Sequence, residues 1–175
     1  MLEARSKPLS KENLNRIFVD SLGADLLWHN ELEKFPLECD VGPEPASRFR
    51  VYLFTLTRQY GGRPQDEYKI QVILPGHKPH TTMTLDMSDS RFPLLGGFSQ
   101  DFGAFVFWDA ELYSGFSYSR NMQVREKTLA DSLSNWLSFQ HRLLRQGAVR
   151  ERECILACQP AHLVECLKRR LLGGV

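Results

Sequence analysis

The stretch from Arg48 to Gln71, RFRVYLFTLTRQYGGRPQDEYKIQ, constrains the chain more than any other. Both ends form strands. RFRVYLFTL is dense in Val, Tyr, Phe and Thr, side chains that fit a pleated surface. DEYKIQVIL sets Glu67, Lys69 and Gln71 on one face against Tyr68, Ile70 and Val72 on the other. Between them, Thr57 to Gln65 holds two adjacent glycines, a proline and almost no aliphatic side chain, so the hairpin is too long for a two-residue turn. Its tip carries Arg58, Gln59, Tyr60, Arg63 and Gln65, whose donors and acceptors suit base edges and phosphates. The expectation is an arm held out from a β-sheet body toward nucleic acid.

Charge supports a patch rather than a global attraction. The net charge is only +1, yet Arg48, Arg50, Arg58, Arg63 and Lys69 cluster in this stretch against Asp66 and Glu67. At 175 residues the chain suits one domain with a real core, and 42% hydrophobic with 25% charged residues excludes disorder. Apolar runs are too short to span a bilayer, so no membrane partner is expected. MLEARSKPLSKEN lacks a signal-peptide core, which points to the cytoplasm. The four cysteines contain no Cys-x-x-Cys pair and read as inert thiols in a reducing cytosol. Cys154 and Cys158, four apart, would share one face of a strand.

The remaining chain supplies helices and further strands. Ser10 caps a helix over Lys11 to Leu22, with Leu14, Ile17, Phe18 and Leu22 inward and Gly23 as the stop. Asp25 to Cys39 reads as a helical turn and an irregular crossing, with Trp28 and Phe35 inward; VGPEPAS (41–47) is a connector. Pro75 to Pro79 breaks the chain, and Thr81 to Met87 alternates weakly as a strand. Phe92 to Gly97 and Gly103 to Asp109 form a hairpin buried on both faces. A second polar, aromatic loop, Glu111 to Asn121, leads into a short strand at Met122 to Val124. TLAD at 128–131 resembles a capping box opening a helix to about Gln146, with Leu129, Leu133, Trp136, Leu137 and Leu144 on one stripe. Glu153 to Cys158 is a strand. Pro160 starts a last helix with Leu163, Val164, Leu167 and Leu171 inward, and Lys168, Arg169 and Arg170 complementing its C-terminus. The class is α+β: a mostly antiparallel β pseudobarrel with flanking helices, residues 1–46 being a helical extension and 47–175 the recognition domain.

These residues resemble a known pattern. Arg50 to Thr57 reads R-x-Y-x-F-T-x-T, and Arg63 to Gln71 reads R-P-x-D-E-Y-x-I-Q. Leu95-Gly96-Gly97, Phe107-Trp108-Asp109 and Tyr118 to Val124 follow. The chain is similar, over roughly Arg48 to Leu171, to the DNA-recognition domain of some restriction endonucleases and methyltransferase-associated proteins. That pseudobarrel is shared with plant B-three transcription-factor domains and with effector domains fused to phospholipase D-type nucleases. The resemblance implies two arms gripping the major groove. The first would be Arg58, Gln59, Tyr60, Arg63, Gln65 and Asp66; the second Ser117, Tyr118, Ser119, Arg120, Asn121 and Gln123. It implies sequence-specific binding to double-stranded DNA in a restriction-modification system, with no cofactor and no catalysis of its own. Cutting would come from a nuclease domain or subunit.

Two rivals deserve tests. Glu67-Tyr68-Lys69 is an E-x-K on a strand, the geometry of a Mg²⁺-dependent nuclease, with Asp40 or Glu44 as the second metal ligand and an ion pair to Arg50 or Arg63 as Glu67's bland role. A protein-interaction module would instead use Phe102, Tyr113, Phe116 and Tyr118. Other chemistry lacks its motif: His77-Lys78-Pro79 is not a phospholipase D site, His77 and His80 have no third ligand in sequence, and Gly115 to Ser119 is not a nucleophile elbow.

Overall fold

The computed structural model describes residues 7–58 and 64–174. Helix α1 (Lys11–Leu22) forms as its periodicity requires, burying Leu14, Phe18 and Leu22. Ser10 Oγ accepts the Asn13 N–H at 3.1 Å, satisfying one of the free donors at the helix start. Gly23, at φ 55°, ends it in a conformation that costs glycine nothing.

Next come two short strands, β1 (Leu26–His29) and β2 (Leu37–Val41), where the sequence suggested a helical turn and an irregular crossing. The helical turn is a single 3-10 turn, Gly23–Asp25, closed by the Leu26 N–H on the Gly23 carbonyl, and residues 26–29 then pair with β2. Trp28 is therefore not inward. It lies on the sheet's edge strand, 46% exposed, with the Arg91 guanidinium 5.2 Å from its ring. Phe35 does pack inward, edge-on to Tyr52 and Phe54.

The body is built from β3 (Ser47–Arg58), β4 (Glu67–Val72), β5 (Thr82–Met83), β6 (Phe92–Ser99), β7 (Ala104–Trp108), β8 (Phe116–Ser117) and β9 (Arg120–Arg125). Helix α2 (Glu126–Ser134), strands β10 (Ser138–Gln146) and β11 (Val149–Cys158), and helix α3 (Leu163–Leu171) complete it. The main sheet runs β1-β2-β3-β6-β7-β11-β10, with β4 branching from β3 and β9 from β4. Every pairing is antiparallel except β3 with β6. The α+β class and the mostly antiparallel sheet are as expected; the sheet stays open, with β1 and β10 at the ends of its path.

Alternation along the central strands divides the core between the two faces of the sheet. Phe49, Val51, Leu53, Phe105, Phe107, Cys154, Leu156 and Cys158 join α1 and α3 on one face. Tyr52, Phe54, Leu56, Val106, Trp108, Ile155 and Ala157 join β4, β9 and Leu129 of α2 on the other. Double coverage is why β6 and β7 read as unbroken apolar runs. All four cysteines are buried thiols, Cys154 and Cys158 on the same face as their spacing requires. Gly97 lets β4 close over the second face. A Cβ there would overlap Leu56 and stand 2.7 Å from Ile70 Cγ2.

Several further expectations fail. The helix foreseen from Thr128 to about Gln146 stops at Ser134, and its second half is the edge strand β10, paired along its whole length with β11. Leu133 and Trp136 are consequently half exposed. Thr128 is not a cap; its hydroxyl donates to Gln140 Oε1 at 2.9 Å. In α3, Leu171 is 38% exposed, whereas Arg170 is buried and paired with Asp109 at 3.2 Å rather than complementing the helix end in solvent. The strand foreseen over Thr81 to Met87 shrinks to β5. Among the described residues, no helix is long and apolar enough to cross a membrane.

Candidate nucleic-acid interface

The first arm grows from the β3–β4 hairpin, where Thr57 faces Lys69 and Arg58 faces Tyr68. Arg58 Nε donates to the Gln65 carbonyl at 3.1 Å, closing the base of the loop, and Nη2 reaches Glu126 Oε2 at 3.0 Å. Glu126, at the start of α2, also donates its N–H to the Asp66 carbonyl at 2.6 Å. The arm is thus braced on a helix, and Arg58 is a strut at its root rather than a free cation. Glu126 is a partner the sequence did not betray. Below it, Tyr68 donates to Asp101 at 2.9 Å; burial, then that bond, push its phenol well above the usual range. Gln65 and Asp66 are exposed. Gln59, Tyr60 and Arg63 lie outside the described residues.

Register sorts the next residues. β4 and β9 pair antiparallel, with Glu67 opposite Arg125, Lys69 opposite Gln123 and Gln71 opposite Asn121 on one face. The other face pairs Tyr68 with Val124, Ile70 with Met122 and Val72 with Arg120. The second set is core apart from Arg120, so the first set forms a wholly polar outer row. Arg120 belongs to the inner phase. Its guanidinium lies 4.8 Å from the Tyr113 ring centroid and 5.9 Å from that of Phe116, and Nη1 donates to the Gly115 carbonyl at 3.5 Å. It clamps its own loop, whereas Asn121 and Gln123 face outward. The Gln123 carbonyl meanwhile accepts Trp108 Nε1 at 3.3 Å, holding β9 to the body.

The second loop is pinned from the side. Ser117 lies in β8 opposite Thr82, and the Tyr118 N–H donates to the Thr81 carbonyl at 3.2 Å. The Tyr118 ring, 36% exposed, stands edge-on to His77 at 5.4 Å. Ser119, at φ 62°, accepts the Gln71 side-chain amide. The two loops are not neighbours. One precedes Glu67 and the other precedes Arg120, at opposite ends of the same ladder. Five strand steps place them ~17 Å apart.

The rival sites do not assemble from their named parts. Glu67 and Lys69 share the outer face, but Asp40 is taken by Arg91 at 2.9 Å and Arg48 at 3.8 Å. Its register partner Arg48 stands nine residues along β3 from Thr57, the partner of Lys69, a span of ~30 Å. Glu44 caps its own turn by accepting the Ala46 N–H at 3.0 Å. Arg50 is satisfied by Glu38, Asp86 and Asp89, so Glu67 is not its partner. Among the described residues no group of three or more His, Cys, Asp or Glu could hold a metal. Of the proposed interaction aromatics, Tyr113 and Phe116 are buried, Phe102 packs edge-on to Tyr68, and only Tyr118 is exposed.

A family model described as methylase-associated X1 matches residues 47–167, more than half of the chain. No curated protein and no solved structure matches.

Proposed function

The chain belongs to the methylase-associated X1 family, and we propose that it serves beside a methyltransferase, in a cytoplasmic restriction-modification system, by recognising a short sequence in double-stranded DNA. The observation that carries this reading is the outer row of the β4–β9 ladder. Lys69, Gln71, Asn121 and Gln123 form two adjacent cross-strand pairs on one face. Amide side chains bond adenine edges through two contacts, lysine bonds guanine, and the major groove, ~12 Å wide, admits a two-stranded ribbon. The Glu67–Arg125 pair keeps this face close to neutral, which favours reading over indiscriminate attraction.

The loops at the ladder's ends take the flanks. Gln65, Asp66 and the arm residues Gln59, Tyr60 and Arg63 act at one end; Ser117, Tyr118 and Ser119 act at the other. At ~17 Å apart the loops overreach the ~12 Å groove and meet its phosphate walls. Arg58 and Arg120 position these loops. The resemblance to two-armed pseudobarrel domains supports the same reading, and catalysis falls to another domain or subunit.

Selection from a randomised duplex pool tests it. One short motif should be enriched, and Asn121→Ala or Gln123→Ala should each weaken binding to that motif by about 1–3 kcal/mol while leaving random duplex untouched. A pool with no enriched motif defeats the reading.

A further inference from the structure

The β10–β11 hairpin is a second ribbon with one open face. β11 pairs with β7 only at Leu156, Ala157 and Cys158, so from Gln140·Ile155 to Gln146·Val149 the two strands pair only with each other. Gly147, at φ 62°, is the first of the two residues that turn it. Its body-side face is fixed. Gln140 Oε1 accepts the Arg125 N–H and the Thr128 hydroxyl, each at 2.9 Å. Arg142 Nε donates to the fully buried Glu153 at 2.5 Å, and the Gln146 amide donates to the Leu112 carbonyl.

The opposite face is finished otherwise. Arg145 stands directly across from Arg150, and Arg152 directly across from Leu143, all four exposed. Among the described residues, none of these three arginines makes an ion pair or a side-chain hydrogen bond. Elsewhere Arg50, Arg58, Arg91, Arg142 and Arg170 all meet carboxylates. Opposed cations in register repel one another. Arg150 and Arg152, two residues apart on one strand, repeat the charge at a step of ~7 Å. The nearest acid in sequence, Glu151, pairs with Leu144 on the other face.

We propose that this face binds the sugar–phosphate backbone of duplex DNA regardless of sequence, an anchoring surface separate from the β4–β9 ladder. A row of guanidinium forks matches phosphate oxygens two at a time. The face carries no acidic residue to set a register against a protein partner, and an evenly charged polyanion needs none. The inference takes duplex DNA from the reading above, but not its sequence specificity.

The test uses the full chain, with Arg145, Arg150 and Arg152 each changed to Gln in one variant, beside the Asn121→Ala/Gln123→Ala double variant. Affinity is measured from 50 to 200 mM salt for a random-sequence duplex and for any enriched motif. The triple variant should lose at least tenfold affinity for both duplexes at 50 mM salt. The slope of log K against log salt should fall by about 2–3, since each released phosphate contact contributes ~0.9. The double variant should lose only motif preference. If no motif is ever enriched, the recognition reading fails while the slope on random duplex still decides this one. Melting of the triple variant should match or exceed the native chain, because repulsion is relieved; Arg152→Gln alone should lower the slope by ~1. Unchanged affinity and slope overturn the proposal. So does aggregation at undiminished DNA affinity, which would make the arginines guards of an edge strand. Loss of binding to poly-glutamate with duplex binding intact also overturns it, in favour of an acidic protein.

Discussion

Two antiparallel ribbons leave this sheet, and opposite forces hold them to it. β4–β9 lies down on apolar side chains, Tyr68, Ile70, Val72, Met122 and Val124, all buried. β10–β11 is rooted in the core through residues 154–158, but its outer part is tied by polar atoms beside Leu144, with Arg142, Glu153 and Tyr113 forming one network in which Tyr113 Oη donates to Glu153 at 2.9 Å. Their open faces differ as well. The first is amide-rich, with Glu67 set among Lys69 and Arg125; the second carries arginines and no acid. An apolar seat tolerates small changes in proportion to volume, whereas a buried polar network fails when one member is removed. The ribbon proposed to discriminate thus rests on the more forgiving support.

That contrast can be broken at its strongest point. Glu153→Ala leaves the Arg142 guanidinium and the Tyr113 hydroxyl without their shared acceptor, and should cost about 3–5 kcal/mol in denaturant unfolding. Tyr113 already feels this site: burial, then the Glu153 carboxylate, raise its phenol above the ordinary value. A loss below ~1 kcal/mol would mean the second ribbon is seated some other way. Under the first ribbon, Gly97→Ala forces a methyl into Leu56 and Ile70 and should cost about 1–3 kcal/mol by the same assay. A neutral result would show that β4 can lift without loss.

Smaller effects sharpen the comparison. Glu126→Ala removes the strut to Arg58, a pair about one-third exposed, so it should cost no more than ~1 kcal/mol of stability. Proteolysis within residues 59–65 should nevertheless quicken, and an unchanged cleavage rate would dismiss the strut. Lys11 of α1, outside both ribbons, provides a control. Burial lowers its ammonium to about 8, while the Leu53 carbonyl at 2.7 Å and the Phe35 and Phe54 rings at 3.9 and 3.8 Å keep it charged at neutral pH. Between that value and the ordinary 10.5 the unfolded chain holds more protons at this group, so its contribution to stability rises with pH. The buried thiols of Cys39, Cys154 and Cys158, all raised by burial, pull the other way, so in melting from pH 7 to 9.5 the stability of the native chain relative to Lys11→Met should increase. The same slope in the variant would rule Lys11 out as its source.

Much of this was legible. The β-forming residues of 47–58, the alternation of 67–72, the doubly buried hairpin of β6 and β7, and α1 with its serine cap follow from local patterns that tertiary contacts reinforce. β10 was not legible because its residues satisfy two periods. Leu133, Trp136, Leu137 and Leu144 fit a helical stripe, while Phe139, His141, Leu143 and Arg145 alternate; pairing with β11 decides for the strand. The alternation of Arg150, Glu151, Arg152 and Glu153 was the overlooked sign. Composition picked out Arg58 and Arg120 for the arms but could not reveal that both would be used internally, since that depends on Glu126, Tyr113 and Phe116. Phase along β9 was readable once its first residue was known. Asn121 and Gln123 share a face that Arg120 does not.

Whether the ladder's amides read bases is decided by assigning their side-chain resonances and following them during titration with duplex. Gln71, Asn121 and Gln123 should move most with the enriched duplex and little with random sequence. Amides that stay still while the enriched duplex binds, or that respond equally to any duplex, would contradict it.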